Sequence, residues 1–255
     1  MMDISNLWAA LEMRYPRSLS CPWDNDGLMV CADPHREVKR VMFALDATEE
    51  TIAEALACGA DVLITHHPML FRPLKNLHPF SVSGSRTLSA VGGGLAVMSF
   101  HTRLDAADGG VNDALAEKIG LTDMEKFGDE ESPELGRIGT LPESMTAEEF
   151  AAMVRDTLGT PSVKLTGTQS VSRVAVVGGA GKGFIGAAMD AGADTLLTGE
   201  VDYNTVLDAA SERFNVVEAG HYYTEAPVLP VLADVVRELC GAECFFADSN
   251  RTRQI

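Results

Sequence analysis

Positive charge is scarce in this sequence. Its 255 residues include 20 Lys+Arg against 37 Asp+Glu, a formal net charge of −17 at pH 7. Such an excess of carboxylates repels polyanions and argues against bulk nucleic-acid binding. Long apolar runs are missing too. Stretches such as Leu95-Ala96-Val97-Met98 and Val174-Ala175-Val176-Val177 are far too short to span a bilayer. Asp3 and Glu12 interrupt the N-terminal segment, which lacks a basic export leader and a small-residue cleavage site. A cytoplasmic protein without membrane contact is the expectation. Ile4, Leu7, Trp8 and Leu11 instead mark one face of a helix that stops before Pro16. The five cysteines (Cys21, Cys31, Cys58, Cys240 and Cys244) include no CxxC pair. Cys240 and Cys244 read as a helix end and the strand after it, and reduced thiols suit a cytoplasm. Gly178-Gly179-Ala180-Gly181-Lys182-Gly183 has neither GxxxxGK[ST] spacing nor GxGxxG in register. It reads as a tight turn, with amides able to hold an anion as the second reading.

What the chain does contain is an internal repeat. Arg40–Thr65 aligns without gaps on Arg173–Thr198 at an offset of 133. Identical residues include Arg40/Arg173, Ile52/Ile185, Gly59/Gly192, Asp61/Asp194 and Thr65/Thr198. Each copy reads as strand, turn, helix, glycine stop and second strand, which suits parallel sheets. A second echo follows at an offset of 120: a strand ending in His101 or His221, with Asp105 or Glu225 four residues on. Pro68–Ser85 reads as an irregular loop that absorbs the difference. Both acids are expected to open helices, with Thr224 as an N-cap before Ala226–Leu239. Val111–Lys118 and Thr146–Leu158 are further helices. The fold expected is α/β: two similar lobes of mainly parallel sheet flanked by helices, internally duplicated, with a metal site in the cleft between them. The lobes are set at 1–126 and 127–255, with the acidic Glu125–Gly139 as their connection and the C-terminal elements able to pack on the first lobe.

The histidines sit where such sheets bind ligands, beyond the carboxyl ends of strands. His66, His67, His101 and His221 follow apolar strands directly, whereas His35 and His78 lie in Pro-flanked loops and read as surface residues. At a strand end before Pro68, both His66 and His67 are able to converge. Taken singly, each His–acid pair reads equally well as a strand-terminal histidine beside a helix-opening acid. Together they favour a metal site. Imidazole with carboxylate suits Zn²⁺, Fe²⁺ or Mn²⁺. His66, His67, Asp105, His221 and Glu225 exceed what one ion with an open position would use, and two ions with Glu225 as a bridge account for them.

Further motifs make the resemblance specific. Trp23-Asp24-Asn25-Asp26-Gly27-Leu28, Ile64-Thr65-His66-His67-Pro68, Phe71-Arg72-Pro73-Leu74-Lys75, His101-Thr102-Arg103-Leu104-Asp105-Ala106-Ala107, Thr198-Gly199-Glu200 and Gly220-His221-Tyr222-Tyr223-Thr224-Glu225 run through most of the chain. They resemble the GTP cyclohydrolase I type 2 homologues, also called NGG-interacting-factor-three-like proteins. The resemblance implies a two-lobed α/β subunit, two divalent metal ions (Zn, Fe or Mn) and a toroidal homohexamer. It assigns His66 and His221 to one ion, His67 and Asp105 to the other, Glu225 to both, and puts His101 beside the site. The domain that some members carry between the halves is not expected here. Arg103 stands where the motif usually has Asn, which would bring a cation close to the site and alter substrate preference. The implied function is hydrolysis of a nucleotide or related heterocycle through metal-bound hydroxide, with His101 shuttling protons. The alternative is a metal-dependent ligand-binding or assembly protein that breaks no bond.

Overall fold

Val41 to Ala44 are buried without alternation in the computed structural model, which describes residues 2–132 and 134–252. A strand apolar on both faces belongs inside a covered sheet. The first compact unit, Met1–Leu104 with Leu229–Arg251, provides one. Its five strands run in the order β1 (Gly27–Val30), β4 (Ala96–Ser99), β3 (Val62–Thr65), β2 (Arg40–Ala44) and β11 (Glu243–Phe246). All neighbours are parallel except β1 against β4. Helices α1 (Ile4–Arg14), α2 (Glu49–Ala57), α3 (Val82–Gly92) and α10 (Val228–Cys240) accompany it. The expected N-terminal helix is α1, capped by Asp3, whose carboxylate accepts from the Asn6 N–H. Met42, Ile52, Leu63 and Val97 pack in one core cluster, and each buried aliphatic side chain contributes about 1.5–3 kcal/mol.

The second unit, Asp105–Val228, holds a six-stranded sheet. Its order is β5 (Thr122–Phe127), β6 (Gly136–Met145), β8 (Val171–Ala180), β9 (Thr195–Glu200), β10 (Asn215–Glu218) and β7 (Lys164–Thr166). Only β8–β9 and β9–β10 are parallel. The expectation of mainly parallel sheets therefore holds for the first sheet and is corrected for the second, whose pairings are mostly antiparallel; both sheets are mixed. The reading of Glu125–Gly139 as a connection is corrected with it, since β5 and β6 pair antiparallel there. Asp123, Glu125 and Lys126 make β5 look like linker, but charges are what an edge strand uses to discourage further pairing. Helices α5 (Val111–Lys118), α6 (Ala147–Leu158), α7 (Ile185–Asp190) and α8 (Tyr203–Ser211) belong to this unit. Thr146 and Glu149 form a capping box at α6. The compact-unit cuts fall at Leu104/Asp105 and Val228/Leu229 rather than at 126/127, so the last helix and strand group with the first unit.

The repeated sequence has a structural cause. Strand partners Val41↔Val62 and Phe43↔Ile64 recur as Val174↔Thr195 and Val176↔Leu197, each shifted by the same 133. Gly59 and Gly192, at φ 70° and 82°, end their helices in the left-handed region. Asp61 then accepts from the N–H groups of Lys39 and Arg40 at 2.8 and 3.0 Å, as Asp194 does from Ser172 and Arg173 at 2.8 Å each. The Gly-Ala-Asp triplet thus both stops the helix and ties the start of the neighbouring strand. The second echo is looser. Thr65 pairs with Ser99 and Thr198 with Glu218, so His101 stands two residues past its rung and His221 three. The sequence offset of 120 is not the register of the sheets.

Among the described residues, no helix is long and apolar enough to cross a membrane. No disulfide joins the cysteines there; Cys240 ends α10 and donates to the Val236 carbonyl, and Cys244 lies in β11.

Candidate metal centre

In the first unit β3 ends at Thr65, whose hydroxyl donates to the His67 carbonyl at 2.9 Å, while the His67 N–H reaches the Leu45 carbonyl at 2.9 Å. These bonds turn the chain as it leaves the sheet, so adjacent imidazoles end up on the same side. The ring centroids of His66 and His67 are 4.9 Å apart, and His101, just past β4, lies 5.2 and 5.7 Å from them. Their ligating nitrogens fall within 4.8 Å of one another.

The partners of the other ring nitrogens decide what these imidazoles offer. His66 Nδ1 is 2.9 Å from the Phe100 carbonyl, His67 Nδ1 is 2.8 Å from Asp46 Oδ1, and His101 Nδ1 is 3.0 Å from Asp24 Oδ1. Each oxygen accepts, so Nδ1 carries a proton and, in the neutral ring, Nε2 is the lone-pair nitrogen. This is how ligating histidines are oriented in metalloproteins. The anchors are themselves anchored. Asp46 Oδ2 accepts from Ser249 Oγ at 2.9 Å, and Asp24 Oδ2 accepts from the N–H and hydroxyl of Thr102 at 3.1 and 2.6 Å. Burial pushes the Asp24 pKa up, but hydrogen bonds from His101 and Thr102 outweigh it and hold the carboxyl at about 2.

The second unit carries Asp105, His221 and Glu225. His221 opens the short helix α9 (His221–Glu225); its Nδ1 is 3.1 Å from Glu200 Oε1 and its Nε2 3.2 Å from Glu225 Oε1. The acids do not open helices as expected. Asp105 lies inside α4 (Thr102–Ala106) and Glu225 ends α9, each one helical turn after its histidine. Thr224 is not an N-cap either: its hydroxyl donates to carbonyls of the preceding turn and accepts from the Gly179 N–H at 3.1 Å.

Gly178 and Gly179 form a bed for this pair. A Cβ at Gly179 would collide with Glu225 Oε1 and come within 3.1 Å of His221 Nε2, and one at Gly178 would meet Val111 at 2.9 Å. The glycine-rich turn therefore brings bare backbone up to a histidine and a carboxylate instead of cradling a phosphate. Its lysine is engaged elsewhere, since Lys182 pairs with Asp202 at 2.8 Å. Asp202 caps α8, and the Lys182 and Thr205 hydrogen bonds lower its pKa to about 2. Buried Asn112 accepts from the Gly178 N–H at 2.8 Å and donates to the main-chain carbonyl of Asp105 at 3.3 Å, linking the Asp105 segment to the glycine bed under Glu225.

Imidazoles that present neutral Nε2, with carboxylates on the adjoining turn, fit a borderline divalent cation. Sequence reasoning missed Asp46, Asn112 and Ser249 behind the candidate ligands, and held Asp24 and Glu200 only as motif residues without a partner. Asp46 was detectable, because it follows a buried strand as the histidines do. Arg103 is corrected outright. It is 1% exposed and turned into the first unit, bound to both Asp26 oxygens at 2.9 Å and to Glu12 at 2.8 Å. Its charge is spent on Asp26, so it is no site cation.

A family model described as Duf34/NIF3 (NGG1p interacting factor 3) matches residues 2–252. A Clostridium perfringens protein named GTP cyclohydrolase 1 type 2 homolog is 31% identical over 257 residues, covering 99% of this chain and 98% of that one. A Lactococcus lactis protein of the same name is 32% identical over 241 residues, covering 92% of each. The crystal structure of a Staphylococcus aureus protein superposes with a TM-score of 0.90 at 25% identity, covering 100% of this chain and 99% of that one.

Proposed function

The chain belongs to the Duf34/NIF3 (NGG1p interacting factor 3) family, and on that premise we propose that it is a dinuclear divalent-metal protein that hydrolyses a nucleotide or related heterocycle. One observation carries this reading: His66, His67 and His101 each have Nδ1 held by an oxygen acceptor, which leaves Nε2 for a ligand at the first two and for protons at His101, while His221 stands between Glu200 and Glu225 at 3.1 and 3.2 Å.

In this reading the ligand set is His66, His67, Asp105, His221 and Glu225, drawn from both halves of a duplicated chain, with Glu225 shared. Zn²⁺, Fe²⁺ or Mn²⁺ held there would supply Lewis acidity and an acidified water at neutral pH. The chain's own residues do the rest. Asp46 and Glu200 keep His67 and His221 in the binding tautomer. His101, fixed by Asp24, moves protons at Nε2. From the family resemblance we carry over GTP cyclohydrolase-type ring opening, which requires water to add to C8 of the purine. We also carry over from the family resemblance assembly as a homohexamer, which sedimentation would test.

The deciding experiment is elemental analysis and GTP turnover on protein purified without a His-tag and reconstituted with each metal. We expect two ions per chain and metal-dependent turnover, with ions lost in Asp105→Ala and turnover lost in His67→Ala. Equal, metal-independent rates in wild type and His67→Ala overturn hydrolysis. Tight metal-dependent binding without product would favour a binding or assembly protein instead.

A further inference from the structure

Two large aromatic side chains stand in water beside the histidines of the first unit. Trp23 is 57% exposed and Phe71 45%. Their ring centroids are 6.2 Å apart with planes at 63°, and both meet the His101 ring edge-on, Trp23 at 6.2 Å and Phe71 at 6.4 Å. An exposed aromatic ring alone means little. These two, however, sit on anchored loops. Cys21 N–H donates to the Thr102 hydroxyl at 2.9 Å on one side of Trp23, and Asp24 grips Thr102 and His101 on the other. Asn25 donates through its side-chain amide to the carbonyl of Leu70, the residue before Phe71, so the two loops are tied together. The anchors fix the backbone that carries both rings, about half of whose surface stays wet, and such preorganised apolar area lowers the cost of binding a ligand.

We propose that Trp23 and Phe71 form an L-shaped stacking platform for the planar heteroaromatic ring of the substrate. With faces 63° apart, one side chain lies under the ligand's face while the other meets its edge, the two arrangements that π systems prefer. A sugar or a bare phosphate chain has no π face to use this corner. Because both side chains border His101, the platform sets the bound ring beside the histidine cluster. The inference deepens the reading given under Proposed function and rests on it for the role of those histidines.

The test is equilibrium dialysis of metal-loaded, full-length protein against GTP, guanosine and inorganic tripolyphosphate, with metal content measured in every variant. Trp23→Ala and Phe71→Ala are each expected to weaken guanosine and GTP binding at least about tenfold. Trp23→Phe keeps most of the affinity, tripolyphosphate binding does not change, and the ions stay in place because neither ring offers a ligand atom. Unchanged guanosine affinity in both alanine variants overturns the platform, as does failure of the metal-loaded wild type to bind guanosine. A smaller assembly in Trp23→Ala at unchanged guanosine affinity also overturns it, assigning the rings to a subunit contact. Failure of the wild type to hold metal overturns the metal reading instead, and guanosine binding to the metal-free protein then decides the platform.

Discussion

Oδ1 of Asp46 stands 2.8 Å from Nδ1 of His67, and the other oxygen of that carboxylate is held by Ser249, 203 positions along the chain. The end of β2 thus aims a histidine at the end of β3, with a clasp from the segment after β11. Removing the clasp in steps should show how much of the histidine's use depends on aim.

Asp46→Ala is expected to lower metal affinity by about 10–100-fold while the fold persists, because an outer-sphere carboxylate fixes tautomer and ring angle. Ser249→Ala should fall in the same direction by less. A competitive chelator titration followed by elemental analysis reads both, and wild-type affinity in Asp46→Ala would contradict the role.

Gly179→Ala tests the bed under Glu225. The new Cβ would displace Glu225 and crowd His221, at a backbone φ of 67° that disfavours any side chain. The expected result is loss of metal together with destabilisation of about 1–3 kcal/mol. Gly186→Ala is the control: it lies in α7 with open space around it. It should stabilise the protein by about 0.5–1 kcal/mol on helix propensity. Thermal melts and metal content of the two variants separate the effects.

Arg103→Met should be costly because the side chain is buried. It takes from Asp26, whose side chain is fully buried, one of the two arginines that pair with it, and because Arg17 stays in place the loss is expected to fall below the about 3–5 kcal/mol of a buried charge left wholly unpaired. Denaturant unfolding measures that loss. If the variant melts like wild type and changes only substrate preference, Arg103 is a site cation after all.

The pH dependence of the Asp202–Lys182 pair follows from its sign. The folded pKa, about 2, lies below the ordinary value of 3.8. The pair therefore contributes stability above that ordinary value and loses it as pH falls toward about 2. Melting temperatures of wild type and Asp202→Asn should differ most near neutral pH and converge in acid. The difference is expected to be small and to shrink with salt, since both groups are exposed.

The sequence by itself determined the local features: the α/β alternation, the matched repeats, the histidines past strand ends and helix α5 to the residue. These follow from burial periodicity, caps and glycine stops, which act over a few residues and leave their mark in the order of side chains. Only the tertiary structure decided that β5 is a charged edge strand, that Arg103 points inward to Asp26, and that Gly179 is bare to admit Glu225. It also chose Asp46, Asp24, Glu200 and the Phe100 carbonyl as the acceptors that orient the imidazoles. Each of those contacts joins residues 20 or more positions apart. An aspartate at a strand end has the same letter whether it faces water or a histidine. Its partner is set by which strands become neighbours, and that choice belongs to the packing of the sheet.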